Sequence, residues 1–235
     1  MNCIKVKSLI CSLLTGVVVF LSGSLKSQNV VNDLDQVYGL DQTLYNGRKY
    51  DYLSPSGTTG HQFLQSILFS DGSVTIKGKC YNDLKLNFDI FNQQLLLQYA
   101  DEKSFKNIIE VSKAWMKGFS IGTMNFELLS LEGDPRFYQV LGNDSLRILY
   151  FWRKTMSLND AIGASNYIFS PALKDSYVFI HGRLRPFNNK RSLILIFDPA
   201  LRPGIKSYLR KNKVKVKKAS DQEITDMIVF ISKIR

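Results

Sequence analysis

The stretch "LKLNFDIFNQQLLLQY", residues 84–99, indicates the fold class. From Leu84 to Ile90 apolar residues alternate with polar ones, and a period of two with one polar face is typical of a half-buried antiparallel strand. The turn-forming "FNQQ" (91–94) and a second apolar run, "QLLLQY" (94–99), follow. The stretch therefore predicts two consecutive strands joined by a tight turn.

The same pattern recurs on both sides of this pair, between residues 44 and 182. Further candidate strands are "VTIKGKCY" (74–81), "NIIEV" (107–111), "MNFELLSL" (124–131), "RFYQVL" (136–141), "LRILYFW" (146–152) and "SYVFIHG" (176–182). Candidate turns between them are "SDGS" (70–73), "ADEK" (100–103), "EGDP" (132–135) and "LGNDS" (141–145). Short strands at this spacing predict a mainly antiparallel β meander that is barrel- or sandwich-like. A glycine-rich phosphate loop is absent, which argues against a nucleotide-binding α/β fold.

The pattern changes after Phe187. The segment "RSLILIF" (191–197) fits either a strand or a helix, and "DPALRPGIKSYLRKN" (198–212) predicts a helix that starts near Asp198 or at Pro203. "SDQE" (220–223) is a capping box, and apolar residues at helical spacing follow it. The expected class is α+β, a β-rich domain over residues 28–186 with a basic helical C-terminal unit, residues 187–235, packed on its sheet.

The N-terminus has the layout of a secretory signal peptide over residues 1–27. Lys5 and Lys7 precede the apolar run "SLICSLLTGVVVFL" (8–21), and cleavage is expected after Ser24 or Ser27. The alternative is an uncleaved anchor, but the run is shorter than the roughly 20 residues that a spanning helix needs. No other run is long enough, so the mature chain is expected to lack a transmembrane span. We expect an exported protein that is located in the periplasm or at the cell surface, where association with the outer membrane is one option.

Export also changes how the cysteines are interpreted. Of the three cysteines only Cys80 remains after processing, so an intramolecular disulfide is excluded and the fold must depend on its core. In "VTIKGKCY" the alternation places Cys80 on the same face as Val74 and Ile76, as a small buried residue.

Positive charge is concentrated at the C-terminal end. The chain carries a formal charge of +11; residues 183–235 hold 14 cations and 4 acids, whereas residues 29–182 hold 14 cations and 16 acids. Seven cations and no acid lie in "KSYLRKNKVKVKKA" (206–219), namely Lys206, Arg210, Lys211, Lys213, Lys215, Lys217 and Lys218. Such asymmetry indicates contact with an anionic partner, or a solvated face.

Four phrases carry a family resemblance: "YNGRKY" (45–50), "GHQF" (60–63), "GKCYNDLKLNFDIFNQQLLL" (78–97) and "KSYLRKNKVKVKK" (206–218). Together they resemble a group of exported proteins of Bacteroidetes-type bacteria, in which a β-rich body precedes a basic helical tail. The resemblance implies a location in the cell envelope. It implies no activity, so no functional residue is carried over from it.

Candidate chemistry outside the basic segment is sparse. The two histidines, His61 and His181, show no spacing that indicates a metal site or a Cys–His pair, and no cofactor is implied. His61 follows a loop rich in glycine, serine and threonine, where a catalytic group would be accessible. Tyr150, Phe151 and Trp152 form a candidate aromatic patch, although coverage of the sheet by the C-terminal helices is the simpler interpretation.

These observations favour a non-enzymatic binding or scaffold protein of the cell envelope. Its basic C-terminal unit is expected to contact an envelope protein, an anionic polymer or a lipid surface, or an outer-membrane assembly; export argues against nucleic acid. The alternatives are an envelope hydrolase or transferase with a site around His61, and a small-ligand carrier that uses the inside of a curved sheet.

Overall fold

The computed structural model describes residues 41–52, 54–100, 104–131, 133–143, 145–159 and 166–234. The predicted signal peptide and most of the predicted turn at 100–103 lie outside these residues. Within them the chain forms a long series of strands and then three α-helices.

The strands occupy the following ranges. They are β1 Arg48–Lys49, β2 Ser70–Ile76, β3 Lys79–Asp89, β4 Gln94–Ala100, β5 Lys106–Glu110, β6 Met116–Ile121, β7 Met124–Leu129, β8 Arg136–Asn143, β9 Leu146–Arg153, β10 Met156–Leu158, β11 Tyr167–Phe169, β12 Leu173–Ile180 and β13 Arg183–Phe187. The helices are α1 Lys190–Leu195, α2 Arg202–Lys211 and α3 Asp221–Ile234, with a 3-10 turn, Val216–Lys218, between α2 and α3.

Eleven of the described strands form one sheet, in the order β1-β5-β4-β3-β2-β6-β7-β8-β9-β12-β13, and each neighbouring pair is antiparallel. Strands β10 and β11 pair separately. The sheet is not closed into a barrel, since β1 and β13 lie at its two edges. The expected α+β class, an antiparallel meander followed by helices, is confirmed, and the sheet is sandwich-like.

Phenylalanine rings fill the inside of the curled sheet. Phe88 on β3 lies 5.6 Å from Phe137 on β8 between ring centroids, although three strands separate β3 from β8 in the sheet. Phe119 and Phe126 stack at 4.7 Å, and Phe88 meets both edge-on. Edge-to-face rings at these distances are favourable, so this half of the sheet folds over its own aromatic core.

The helices cover the remaining part of the inner face. Ile205 and Leu209 of α2, with Ile224 and Ile228 of α3, are buried in a second core together with Ile148 of β9. The segment "RSLILIF", whose sequence fits either a strand or a helix, is helical from residue 190 to residue 195.

The ends of the two longer helices follow the sequence signals. Helix α2 has a proline, Pro203, in its first turn, so this residue rather than Asp198 marks the start. The capping box before α3 is confirmed: Ser220 N donates to Glu223 Oε2 at 2.8 Å, and Glu223 N donates to Ser220 Oγ at 3.2 Å.

The prediction that "VTIKGKCY" is one strand was wrong. Lys77 and Gly78 have φ of 50° and 78°, a pair of left-handed residues that reverses the chain between β2 and β3. Thr75 consequently pairs with Cys80, and Cys80 is exposed rather than buried beside Val74.

The segment "SDGS" (70–73) was also misinterpreted, because it opens β2 instead of forming a turn. A Cβ at Gly72 would lie 2.1 Å from the carbonyl oxygen of Ser120 on β6. This glycine therefore allows two strands to approach closely, which is a role that the sequence does not distinguish from a turn.

Asp89 is fully buried, whereas the alternation placed it on an outward face. Its Oδ1 accepts hydrogen bonds from the backbone N–H groups of Phe91 and Asn92, at 3.0 and 2.8 Å. Its Oδ2 accepts from the hydroxyl of Tyr50 at 2.8 Å. Asp89 thus holds the tight turn between β3 and β4, as the predicted "FNQQ" turn requires.

Candidate functional site

The seven cations of the basic segment, residues 206–218, all have exposed side chains. Three lie on α2, one at its C-terminal end and three in or beside the 3-10 turn. Val214 and Val216 are buried, at 7% and 8% exposure. These valines attach the link between α2 and α3 to the core, while the lysines beside them face water.

The basic segment turns sharply where α2 ends. Lys213 has φ of 53°, Lys213 N donates to Arg210 O at 3.2 Å, and Val214 N donates to Leu209 O at 3.0 Å. This is a Schellman motif, and Val214 and Leu209, the two positions whose apolar side chains usually meet in it, belong to the same buried cluster. Arg210 and Lys211 lie at the negative end of the helix dipole, which favours them there.

The acids of α3 form hydrogen bonds with uncharged groups rather than ion pairs with the basic segment. Asp221 Oδ2 accepts from Gln139 Nε2 at 2.5 Å, Glu223 caps α3 through Ser220, and Asp226 accepts from Gln222. In the part of the chain that the structure describes, none of the seven cations forms an ion pair.

A groove of about 640 Å³ lies where the basic segment meets the sheet. Its walls are the first half of β12, the end of β13 with Asn188, Ser192 of α1, and Val216 with Lys217 of the 3-10 turn. Lys217 therefore belongs both to the basic segment and to this groove. Lys174, on β12, also lines it.

Lys174 is held against two aromatic rings. Its Nζ lies 4.0 Å from the ring centroid of Tyr150 and 5.4 Å from that of Trp152. Burial lowers the pKa of Lys174, and the nearby carboxylate of Asp221 opposes this effect. Burial, followed by the same carboxylate, raises the pKa of the Tyr150 hydroxyl. These cation–π contacts hold the ammonium of Lys174 against the two rings.

A buried glutamine, Gln139, is hydrogen-bonded to Trp152, one of the two rings that Lys174 contacts. Gln139 is 0% exposed; besides bonding to Asp221, it accepts a hydrogen bond from Trp152 Nε1 at 2.8 Å. In the strand register Gln139 lies opposite Tyr150, and Trp152 lies opposite Lys174. The network therefore connects α3, β8, β9 and β12 directly behind the groove.

The three aromatic residues do not form one patch. Tyr150 is 2% exposed, and Trp152 is partly buried on the same, helix-covered face. Phe151 points to the opposite face, where its ring lies 5.9 Å from Tyr138 and 5.4 Å from the guanidinium of Arg136. A surface patch therefore cannot include Tyr150, because the C-terminal helices cover its face of the sheet.

His61 lies in a different region, beside Lys154. Lys154 Nζ donates to the carbonyl oxygen of His61 at 2.7 Å and lies 3.4 Å from its Nδ1, which also accepts from Phe63 N. Burial, and then the charge of Lys154, lower the pKa of His61 below its usual 6.5. Among the described residues, no hydroxyl or thiol is hydrogen-bonded to His61, so the nucleophile–base pair that a hydrolase needs is not formed there.

Sequence reasoning identified Lys217 but not Lys174 or Gln139. "LKDSY" (173–177) contains one lysine in an ordinary strand, and a lone glutamine in "RFYQVL" carries no signal. Their roles follow from the strand register, which places Lys174 opposite Trp152 and Gln139 opposite Tyr150.

Over the described ranges, no three His, Cys, Asp or Glu side chains are grouped so that they could hold a metal ion. None of the described helices is both long and apolar enough to cross a bilayer. No protein-family model, curated protein or solved structure matches this chain.

Proposed function

We propose that this protein is an exported, non-enzymatic component of the cell envelope that docks onto an anionic partner through its basic segment. The partner is an anionic lipid surface or polymer, or an acidic protein of an outer-membrane assembly. Export is supported by the signal-peptide pattern of residues 1–27 and by the resemblance to exported Bacteroidetes-type proteins.

One observation carries the proposal: seven exposed cations lie within thirteen consecutive residues. The acids of α3 form hydrogen bonds within or just before that helix, or with Gln139, and not with these cations. Like charges gathered in this way repel one another, and an anionic surface relieves that repulsion. A surface tuned for solubility usually intersperses charges of both signs, whereas residues 206–218 contain seven cations and no acid.

The two alternatives have less support. The His61 site lacks a paired nucleophile among the described residues. A carrier would need a cavity inside the curled sheet, where Phe88, Phe119, Phe126 and Phe137 pack against one another instead.

The test is sedimentation of the full chain with vesicles. One vesicle type contains only phosphatidylcholine, and the other contains about one third phosphatidylglycerol. Each lysine near an anionic surface contributes up to about 1 kcal/mol, so replacing Lys213, Lys215, Lys217 and Lys218 by glutamine should lower the partition coefficient by roughly 10² to 10³ at low salt. Wild-type binding should weaken as salt shortens the Debye length.

A matched variant separates local charge from total charge. Lys49, Lys77, Lys106 and Lys117 are exposed lysines outside the basic segment, and their replacement by glutamine removes the same net charge. We expect this control to retain most of the binding. Equal loss in both variants, or no loss in either, contradicts docking through the basic segment.

A further inference from the structure

The groove beside Lys217 has one wall that is an open strand edge. Strand β13 pairs with β12 only from Ser176, opposite Phe187, to Ile180. On the other side β9 pairs with β12 from Leu173 onward. In the described part of the chain, the outer edge of β12 from Leu173 to Asp175 therefore has no strand partner.

The sequence explains why β13 stops short. After Phe187 the chain enters the capping box of α1, in which Ser192 N donates to Asn189 Oδ1 at 2.9 Å and Asn189 N donates to Ser192 Oγ at 3.1 Å. This cap turns the chain away from β12. The groove occupies the space beside the open edge, and six consecutive residues, 172–177, line it.

An open edge offers unpaired backbone donors and acceptors, and proteins usually cover or blunt such an edge. Three residues of strand span roughly 10 Å. That length matches a short extended segment of another chain, bound by strand addition. The groove follows six consecutive residues, 172–177, and has apolar walls at Leu173, Phe187 and Val216.

The charges around the edge select an acidic segment. Lys174 and Lys217 both line the groove. The acid in the lining, Asp175, is already held by Arg153, with Nε to Oδ2 at 2.8 Å and Nη2 to Oδ1 at 3.3 Å. Asp221 lies near Lys174 and keeps its charge, because its Oδ2 accepts a hydrogen bond from the neutral Gln139, but it does not line the groove. The lining itself holds Lys174 and Lys217 against Asp175 and is therefore net positive toward an incoming carboxylate.

We propose that the groove binds a short, extended, acidic peptide segment of a partner protein, which adds as a strand to the open edge of β12. This inference deepens the proposed function and rests on it for the anionic character of the partner. It names a protein contact that is additional to attraction by the basic segment as a whole.

The test uses the full chain and defined peptides. The probe is acetyl-Val-Glu-Val-Glu-Val-amide, and its glutamine analogue is the charge control. Two further analogues carry N-methyl groups on alternate backbone nitrogens, one at odd and one at even positions. Because a strand pairs through alternate N–H groups, one methylated analogue should bind at least tenfold more weakly than the other. Calorimetry gives the affinities, and hydrogen exchange should show slower exchange in residues 173–175 when the peptide is bound.

Variants of the groove complete the design. Lys174→Met keeps the apolar stem and removes the charge, and we expect about tenfold weaker binding of the acidic peptide with no change for the glutamine analogue. Lys106→Met, on an exposed lysine of β5, should change neither. Equal binding of both methylated analogues, or unchanged exchange in residues 173–175, overturns strand addition and indicates a groove for small anions. If no peptide binds while charge-dependent vesicle binding persists, this inference fails and the proposed function stands.

Discussion

Replacing Gln139 by leucine should destabilise the protein more than any other exchange of a glutamine in the sheet. The side chain is 0% exposed and bridges Trp152 Nε1 and Asp221 Oδ2. A net contribution of about 1 kcal/mol for the indole bond and about 1.5–3 kcal/mol for the bond to a carboxylate is typical. Both partners are only partly buried, so water can replace some of the loss, and we expect about 2–4 kcal/mol in total.

Urea unfolding followed by tryptophan fluorescence measures this loss. With a slope of about 2 kcal/mol per molar urea, the midpoint should fall by roughly 1–2 M. The control is Gln98→Leu on β4, a partly buried glutamine that makes no side-chain hydrogen bond within the described structure. Its midpoint should change little. Equal midpoints for the two variants would refute the idea that the Gln139 network holds α3 on the sheet.

Gln139→Glu adds a dependence on pH. The introduced carboxylate is buried and close to Asp221, and both effects raise its pKa in the folded state. A raised folded-state pKa means that the variant loses stability as pH rises from the unfolded value, about 4.3, through the folded value. Its deficit relative to Gln139→Leu should therefore be small near pH 4 and largest at neutral pH. A deficit that does not depend on pH contradicts the proximity of the two groups.

Three further predictions follow from local geometry. Lys213 has a left-handed backbone, so Lys213→Gly should stabilise the chain by about 1 kcal/mol, whereas Lys206→Gly, at an exposed position inside α2, should cost about as much, as measured by thermal unfolding. The hydrogen bond from Lys79 lowers the pKa of Asp41 from 3.8 to about 2, so its stabilisation is complete above pH 3.8 and is lost as pH falls through 2; Asp41→Asn should be less stable than wild type at pH 5 and equal to it near pH 2. Cys80 is exposed, so the native protein should react with an aromatic disulfide reagent as fast as a peptide thiol, and Cys80→Ser should abolish that reaction.

Most of the architecture was predictable because it depends on periodicity. Alternation identified β3, β4, β7, β8, β9 and β12, and the capping box fixed the start of α3. Turn residues were less reliable. Gly72 and Gly78 look alike in sequence, yet one allows close strand contact and the other reverses the chain. Distinguishing them requires knowing which strand lies alongside, which is a long-range fact.

The groove was beyond sequence reasoning for a similar reason. Its residues come from separate parts of the chain, and its open edge exists only because β13 ends at Phe187, the residue that pairs with Ser176. The asymmetry of charge was visible in the sequence. The role of the neighbouring Lys174 could not be predicted. A single lysine in a strand carries no sequence signal, and only the fold brings it against the rings of Trp152 and Tyr150.

The fold itself does not need the seven cations. Burial of Val214 and Val216, the Schellman turn at Lys213 and the cap at Ser220 determine the path from α2 to α3, and uncharged polar residues at the exposed positions would satisfy all three. Mutual repulsion makes this concentration of cations a cost to the folded state, which the helix dipole offsets only at Arg210 and Lys211. A concentrated charge that structure does not require, placed beside an open strand edge, is better explained by a partner than by stability.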